Sequence, residues 1–173
     1  MTSEGEGWPG QDEPARRFHV VDQPWSRFED LPIDEPFPCG GFTFSAAEII
    51  AFARRWDPQP FHVSEAAGRE SIVGELFASA IHTFAASVGV FVRATRPLRL
   101  AVGLDLRSID LPNPAVAEKP YLVMGRWVFA RPSNSRPGLG IVRWEAETVS
   151  EAGGEVVIRF GSTIMVQGAG AAR

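Results

Sequence analysis

Cysteine is all but missing from this 173-residue chain. The single Cys39 excludes an internal disulfide and any cysteine-rich metal site. It fits a reducing compartment, and the cytoplasm is the expected location. Cys39 precedes two glycines with no base nearby in sequence, so it does not read as a nucleophile. Histidine is scarce too. His19, His62 and His82 show no metal-ligand spacing, and neither a metal nor another cofactor is expected. Cations are outnumbered, 17 Lys and Arg against 21 Asp and Glu for a net charge of −4, which argues against a nucleic-acid partner. There is no GxGxxG fingerprint, no P-loop and no G-x-S-x-G elbow. The acidic, Gly/Pro-rich N-terminus shows no charged-then-apolar leader.

Length and a 45% apolar content describe one globular domain able to bury a core. Residues 1–17 read as a polar, turn-rich tail, 18–167 as the domain and 168–173 as a second tail. From Phe18 to Cys39, Pro24, Pro32, Pro36 and Pro38 exclude a long helix. Trp25, Phe28, Leu31 and Ile33 are expected to pack that stretch onto the domain. Phe42-Thr43-Phe44 is a short strand candidate. Ser45-Ala46-Ala47-Glu48 is a capping box, and the helix it opens carries Ile49, Phe52, Ala53 and Trp56 on one face. Ser64 caps a short turn that Gly68 closes.

Ser71 to about Val92 is the longest apolar segment. It is read as one helix, apolar nearly all round and buried at the centre of the fold. Twenty residues would just cross a bilayer, but Glu75, Ser79, His82, Thr83 and Ser87 inside it make a span too costly. His82 is read as a hydrogen-bonded core histidine. The remainder, Leu98–Ile109, Tyr121–Arg131, Leu139–Ser150 and Glu155–Gln167, is strand-like. Short connections imply antiparallel pairing. Trp127, Phe129 and Trp144 read as core or interface aromatics. The whole is an α+β domain, an antiparallel β-sheet wrapped around one long central helix.

Chemistry gathers in Asp57-Pro58-Gln59-Pro60-Phe61-His62. Pro58 pushes Asp57 out of helical geometry, so the upstream helix must stop at about Trp56. Fully extended, the loop would hold the Asp57 and His62 Cα atoms roughly 16–18 Å apart. Prolines set bends, however. Folded back, a carboxylate and an imidazole converging on one water make a general acid–base pair.

FARRWDPQPFHVSEAA resembles the MaoC-like dehydratase family, with its helix, Asp, four residues, His and small-residue turn. SIVGELFASAIHT resembles that family's Gly-containing turn and the start of its helix. ARPSNSRPGLGIV resembles its Arg-x-Ser-x-Ser-Arg-Pro-Gly strand connection. The likeness runs from about Phe37 to Val166 and implies a hotdog fold. It implies syn hydration of a trans-2-enoyl thioester to the (R)-3-hydroxyacyl thioester, or the reverse dehydration, in fatty-acid metabolism. The substrate would be carried on coenzyme A or an acyl-carrier protein. Asp57 and His62 would hold the water, in roles the sequence does not assign. The backbone N–H near Ala80, at the start of the long helix, would receive the thioester oxygen. Gln59 and Phe61 are expected to contact substrate. Apart from the resemblance, Arg131 and Arg136 flank the Ser-rich turn and are candidates for the phosphates of coenzyme A, against the alternative that surface arginines in turns are merely solvated. Ala80 stands where relatives usually have Gly, Ser64 replaces a frequent Asp, and NPAVAEKP lacks the usual Arg-Pro-Gly-Asp turn.

Two other readings remain open: a hotdog thioesterase using Glu75 on the long helix, and a non-catalytic module that binds acyl thioesters. A homodimer with sheets joined edge to edge is expected, because it would protect strand edges.

Overall fold

The structure, a computed structural model, describes residues 18–168. The expected N-terminal tail, and all of the C-terminal one but Gly168, lie outside the described residues.

Alternation of apolar and polar residues in the second half of the chain builds four long strands: β3 (Leu100–Asp110), β4 (Pro120–Pro132), β5 (Leu139–Ser150) and β6 (Val156–Gln167). Two earlier strands, β1 (Phe18–Val20) and β2 (Pro36–Thr43), complete a six-stranded antiparallel sheet in the order β1-β2-β4-β5-β6-β3. β2 is longer than the Phe42–Phe44 strand expected from sequence. Its prolines are tolerated because β1 pairs only with residues 40–42 of β2, leaving Pro36 and Pro38 unpaired on that side. Gly40, at φ +128°, sits where the β2–β4 register shifts, a conformation that favours glycine.

Four helices follow or interrupt the strands: α1 (Ala46–Trp56), α2 (Pro60–Val63), α3 (Glu65–Glu70) and α4 (Ala80–Ala94). The capping box is formed as expected, with Ser45 Oγ accepting from Glu48 N and Glu48 Oε2 accepting from Ser45 N. Residues 71–92 are not one helix. Ala78 N donates to Ala115 O and Ala117 N to Leu76 O, so residues 76–78 run extended against 115–117. The helix begins only where Ser79 caps it by accepting from His82 N. Apolar content alone could not place that boundary, since a buried extended segment and a buried helix look alike in composition.

The sheet curls around α4 to give the hotdog architecture. Thr83, Ala86, Ser87, Val90, Phe91 and Ala94 form the buried face of the helix, at the spacing one helical face demands. Phe91 stacks on Trp144 of β5 at 3.9 Å, and Trp127 of β4 is fully enclosed beside Phe37. Gly125 on β4 permits this approach, because a Cβ there would stand 2.6 Å from the Phe37 ring. Ser87 Oγ donates to Thr83 O at 2.8 Å, so its 2.7 Å contact with Thr148 Oγ1 must be donated from the threonine. The helix is not buried all round: Ile81 and Val92 are exposed. Of the early residues expected to pack, Phe28 and Leu31 are buried and Trp25 is half-buried, but Ile33 is exposed.

Candidate active site

α1 delivers the first side chain. Its last hydrogen bond is Asp57 N to Ala53 O, and Asp57 then leaves helical geometry at φ −155°, ψ 70°, as the following proline requires. Gln59 caps α2, Pro60 opens it, and His62 N donates to Gln59 O. One helical turn therefore folds the loop back. Asp57 Oδ2 and His62 Nε2 end 3.8 Å apart, too far for a direct hydrogen bond but close enough for one water to touch both.

His62 is 4% exposed and held on three sides. Its Nδ1 lies 2.8 Å from the Phe77 carbonyl. A carbonyl only accepts, so Nδ1 carries a hydrogen and Nε2 is the nitrogen that faces Asp57. The Phe61 and Phe77 rings stack at 5.4 Å and meet the imidazole edge-on at 4.6 Å each. Across the gap, Gln59 Nε2 donates to Asp57 Oδ1 at 2.9 Å. That bond leaves Oδ2 free to face the histidine.

Three residues after Phe77, α4 begins. Ser79 is 1% exposed; its hydroxyl serves His82 N and its carbonyl accepts from Thr83 N. Among the described residues the N–H groups of Ala80 and Ile81 have no partner, and Ala80 is exposed. Unsatisfied donors at a helix N-terminus suit an oxygen that is gaining negative charge.

Of the residues expected at the site, Asp57, His62 and Phe61 share it, with Ala80 on the element that follows Phe77. Gln59 orients the carboxylate. Arg131 and Arg136 are not part of this cluster: they lie at the far end of β4 and in the loop after it. Glu75 is not on the helix, since α4 starts at Ala80; it is exposed and paired with Lys119 Nζ at 3.0 Å, which removes the geometric basis for a thioesterase. His82 is a second correction. Its Nδ1 is buried without a hydrogen bond among the described residues, and burial pushes the imidazole down to about 4. The Cys39 thiol is buried and pushed up to about 12 by desolvation, which keeps it inert at neutral pH. Sequence reasoning missed Phe77, because a backbone carbonyl leaves no residue-type signal. A cavity of about 520 Å³ on the outer sheet face, lined by Arg107, Arg126, Arg143, Glu145 and Arg159, includes neither Asp57 nor His62.

Neither a family model nor a curated protein matches the sequence. Among solved structures, the MaoC-like dehydratase from Rhodospirillum rubrum is 34% identical and superposes with a TM-score of 0.73, over 83% of this chain and 97% of that one. This chain belongs to the MaoC-like dehydratase family. The (R)-hydratase PhaJ1 from Pseudomonas aeruginosa shares the fold at 15% identity, with a TM-score of 0.67 over 86% of this chain and 92% of that one. A double-hotdog protein from Mycobacterium tuberculosis does so at 15% identity and a TM-score of 0.71, over 85% of this chain and 46% of that one. The family is one of hydratases and dehydratases.

Proposed function

We propose that this MaoC-like protein adds water across the double bond of trans-2-enoyl thioesters to give (R)-3-hydroxyacyl thioesters, and catalyses the reverse reaction. The observation that carries this reading is the 3.8 Å gap between Asp57 Oδ2 and His62 Nε2, with Nδ1 held by the Phe77 carbonyl. A water in that gap donates one hydrogen to each. As its oxygen attacks C3, one of the pair takes its proton, the C2–C3 π electrons move toward C2, and charge develops on the thioester oxygen. The free N–H groups of Ala80 and Ile81 are the donors suited to that oxygen. A proton delivered to C2 from the same face completes the addition, so water is consumed and nothing else is needed. Gln59 keeps the carboxylate aimed, and the Phe77 carbonyl keeps the imidazole in its working tautomer.

The protein acts as a homodimer in this reading. β3 is an 11-residue edge strand with Leu100, Val102, Leu104 and Leu106 all exposed, and its outer row of backbone groups is paired with nothing among the described residues. A long apolar edge of this kind calls for a partner strand. Sedimentation is expected to show a dimer that Leu104→Asp converts to monomer; a monomeric wild type at micromolar concentration would count against the pairing.

The test of the reaction is hydration of crotonyl-CoA and longer trans-2-enoyl-CoAs, with product chirality, beside Asp57→Asn. Turnover to the (R)-product that collapses in the variant supports the reading. Undiminished turnover in the variant would sink it.

A further inference from the structure

His62 is aimed by a carbonyl, and that carbonyl is aimed by the pairing on its other side. Leu76 O accepts from Ala117 N at 3.0 Å, and Ala78 N donates to Ala115 O at 2.8 Å. In an antiparallel pair of this kind, the residue between two such bonds turns its own N–H and C=O the opposite way. Phe77 is that residue. Its carbonyl is therefore directed away from residues 115–117 and lies 2.8 Å from His62 Nδ1. Residues 115–117 act as a strap that decides where the Phe77 carbonyl points.

The strap itself is thin. Phe77 and Val116 form an isolated bridge outside the named strands, and only the two bonds above join the segments. By the same alternation, Val116 turns its N–H and C=O away from Phe77. Val116 is buried, and among the described residues no backbone group pairs with its N–H or its C=O. One side chain takes both. The Tyr121 hydroxyl, on the second residue of β4, accepts from Val116 N at 2.7 Å and donates to Val116 O at 3.2 Å. A hydroxyl can do this because it is donor and acceptor at once. Tyr121 is buried and its ring packs 5.7 Å from that of Phe42, so the sheet fixes where the hydroxyl sits.

The next residue ties the strap to α1. Glu118, left-handed at φ +60°, donates its N–H to Phe44 O at 2.7 Å, and its Oε1 accepts from Ala46 N at 3.1 Å. Ala46 opens the helix that ends at Asp57. Residues 115–118 thus touch the supports of both partners, the carbonyl behind His62 and the start of the helix that carries Asp57.

We propose that Tyr121 is a positioning residue for the hydration reaction: through Val116 and Phe77 its hydroxyl sets the orientation of His62, without touching substrate. This rests on the hydratase reading above and adds a residue to it. The physical reason is that nothing duplicates the hydroxyl. Without it, two buried backbone groups of Val116 are left unpaired, which is costly. The strap must shift to find other partners, and residues 76–78 shift with it. A displacement of about 1 Å at a reacting group is enough to slow a reaction severely.

The test is Tyr121→Phe in the full-length chain, with two readouts. In steady-state hydration of crotonyl-CoA, kcat should fall about tenfold while KM stays within about twofold, the pattern of an interaction that matters only in the transition state. In NMR of the histidine ring nitrogens, recorded without substrate, the His62 signals should move toward those of an imidazole that exchanges between tautomers. Tyr121→4-aminophenylalanine keeps a donor in the same place and should recover part of both losses. It also carries both readouts if Tyr121→Phe does not fold. A lower kcat with unmoved His62 signals would show that the tyrosine acts by another route and would overturn the proposal. Moved signals with full kcat would overturn it as well, and so would a loss carried by KM alone. A wild type that turns over no thioester overturns the hydratase reading, and the His62 signals then decide the link from Tyr121 to His62 by themselves.

Discussion

Two histidines twenty residues apart show how neighbours, not residue type, set a role. His62 is held by a carbonyl on Nδ1, edged by two phenylalanines, and faces a carboxylate across a water-sized gap. His82, in the first turn of α4, stacks on Phe52 at 4.2 Å and 2°, with Phe44 at 4.3 Å. Among the described residues its Nδ1 has no hydrogen-bond partner. In the proposed reaction one ring exchanges a proton. The other is arranged to stay neutral, because its surroundings penalise the charged form more than the nearby Glu48 favours it.

The largest effect that would test this contrast is on turnover. His62→Ala should lower kcat by about 10²–10⁴-fold, the range for losing a positioned acid–base group, with the thermal midpoint nearly unchanged. His82→Phe should leave kcat within a few-fold. Equal losses in steady-state assays of the two variants would erase the distinction.

The next effect is on stability against pH. The folded value of His82, about 4, lies below the usual 6.5, so between those limits the unfolded chain binds a proton that the folded chain refuses. Stability is therefore complete above about pH 6.5 and declines as pH falls toward 4, by roughly 2–3 kcal/mol over the window. Urea unfolding of wild type at several pH values should show this slope. His82→Phe should lack it, and should also be spared the orphaned Nδ1, worth about 1 kcal/mol or more. A slope that survives in the variant would assign the titration elsewhere.

A smaller effect separates orientation from chemistry within the loop. Gln59→Leu removes the donor to Asp57 Oδ1 and should cost about tenfold in kcat, near 1.4 kcal/mol, while Gln59→Asn is the conservative variant expected to recover part of it. A rise in KM with kcat intact would instead return Gln59 to substrate contact.

These contrasts also mark what the sequence could reveal. The convergence of Asp57 and His62 was legible because proline restricts the preceding residue locally and so stops α1, which the capping box starts in the right frame. The four later strands were legible as β-rich runs separated by turn signals. The start of α4 was not, because residues 76–78 are apolar for a tertiary reason: they pair with 115–117. The state of His82 was not legible either. Its partners Phe44 and Phe52 come from a different element, and no spacing along the chain announces a stack. Arg131 and Arg136 show the same limit from the other side. Their motif was visible, but only the fold puts them at the end of β4 remote from the Asp57–His62 loop.

The finest test returns to the stack itself. Phe52→Leu keeps an apolar side chain on α1 but removes the parallel ring over His82. The lost aromatic contact should cost about 0.5–1.5 kcal/mol near neutral pH. Water reaching the imidazole would also weaken the desolvation that depresses it, so the folded value should climb from about 4 toward 6.5. The unfolded value does not move, and the pH window over which stability is lost must narrow from its acid side. The variant should then be less stable than wild type at pH 7 yet lose less on acidification, so the two stability curves converge as pH falls. Parallel curves, with the same deficit at pH 7 and pH 4.5, would mean that the stack contributes packing alone and that the rest of the α1–α4 interface keeps His82 neutral.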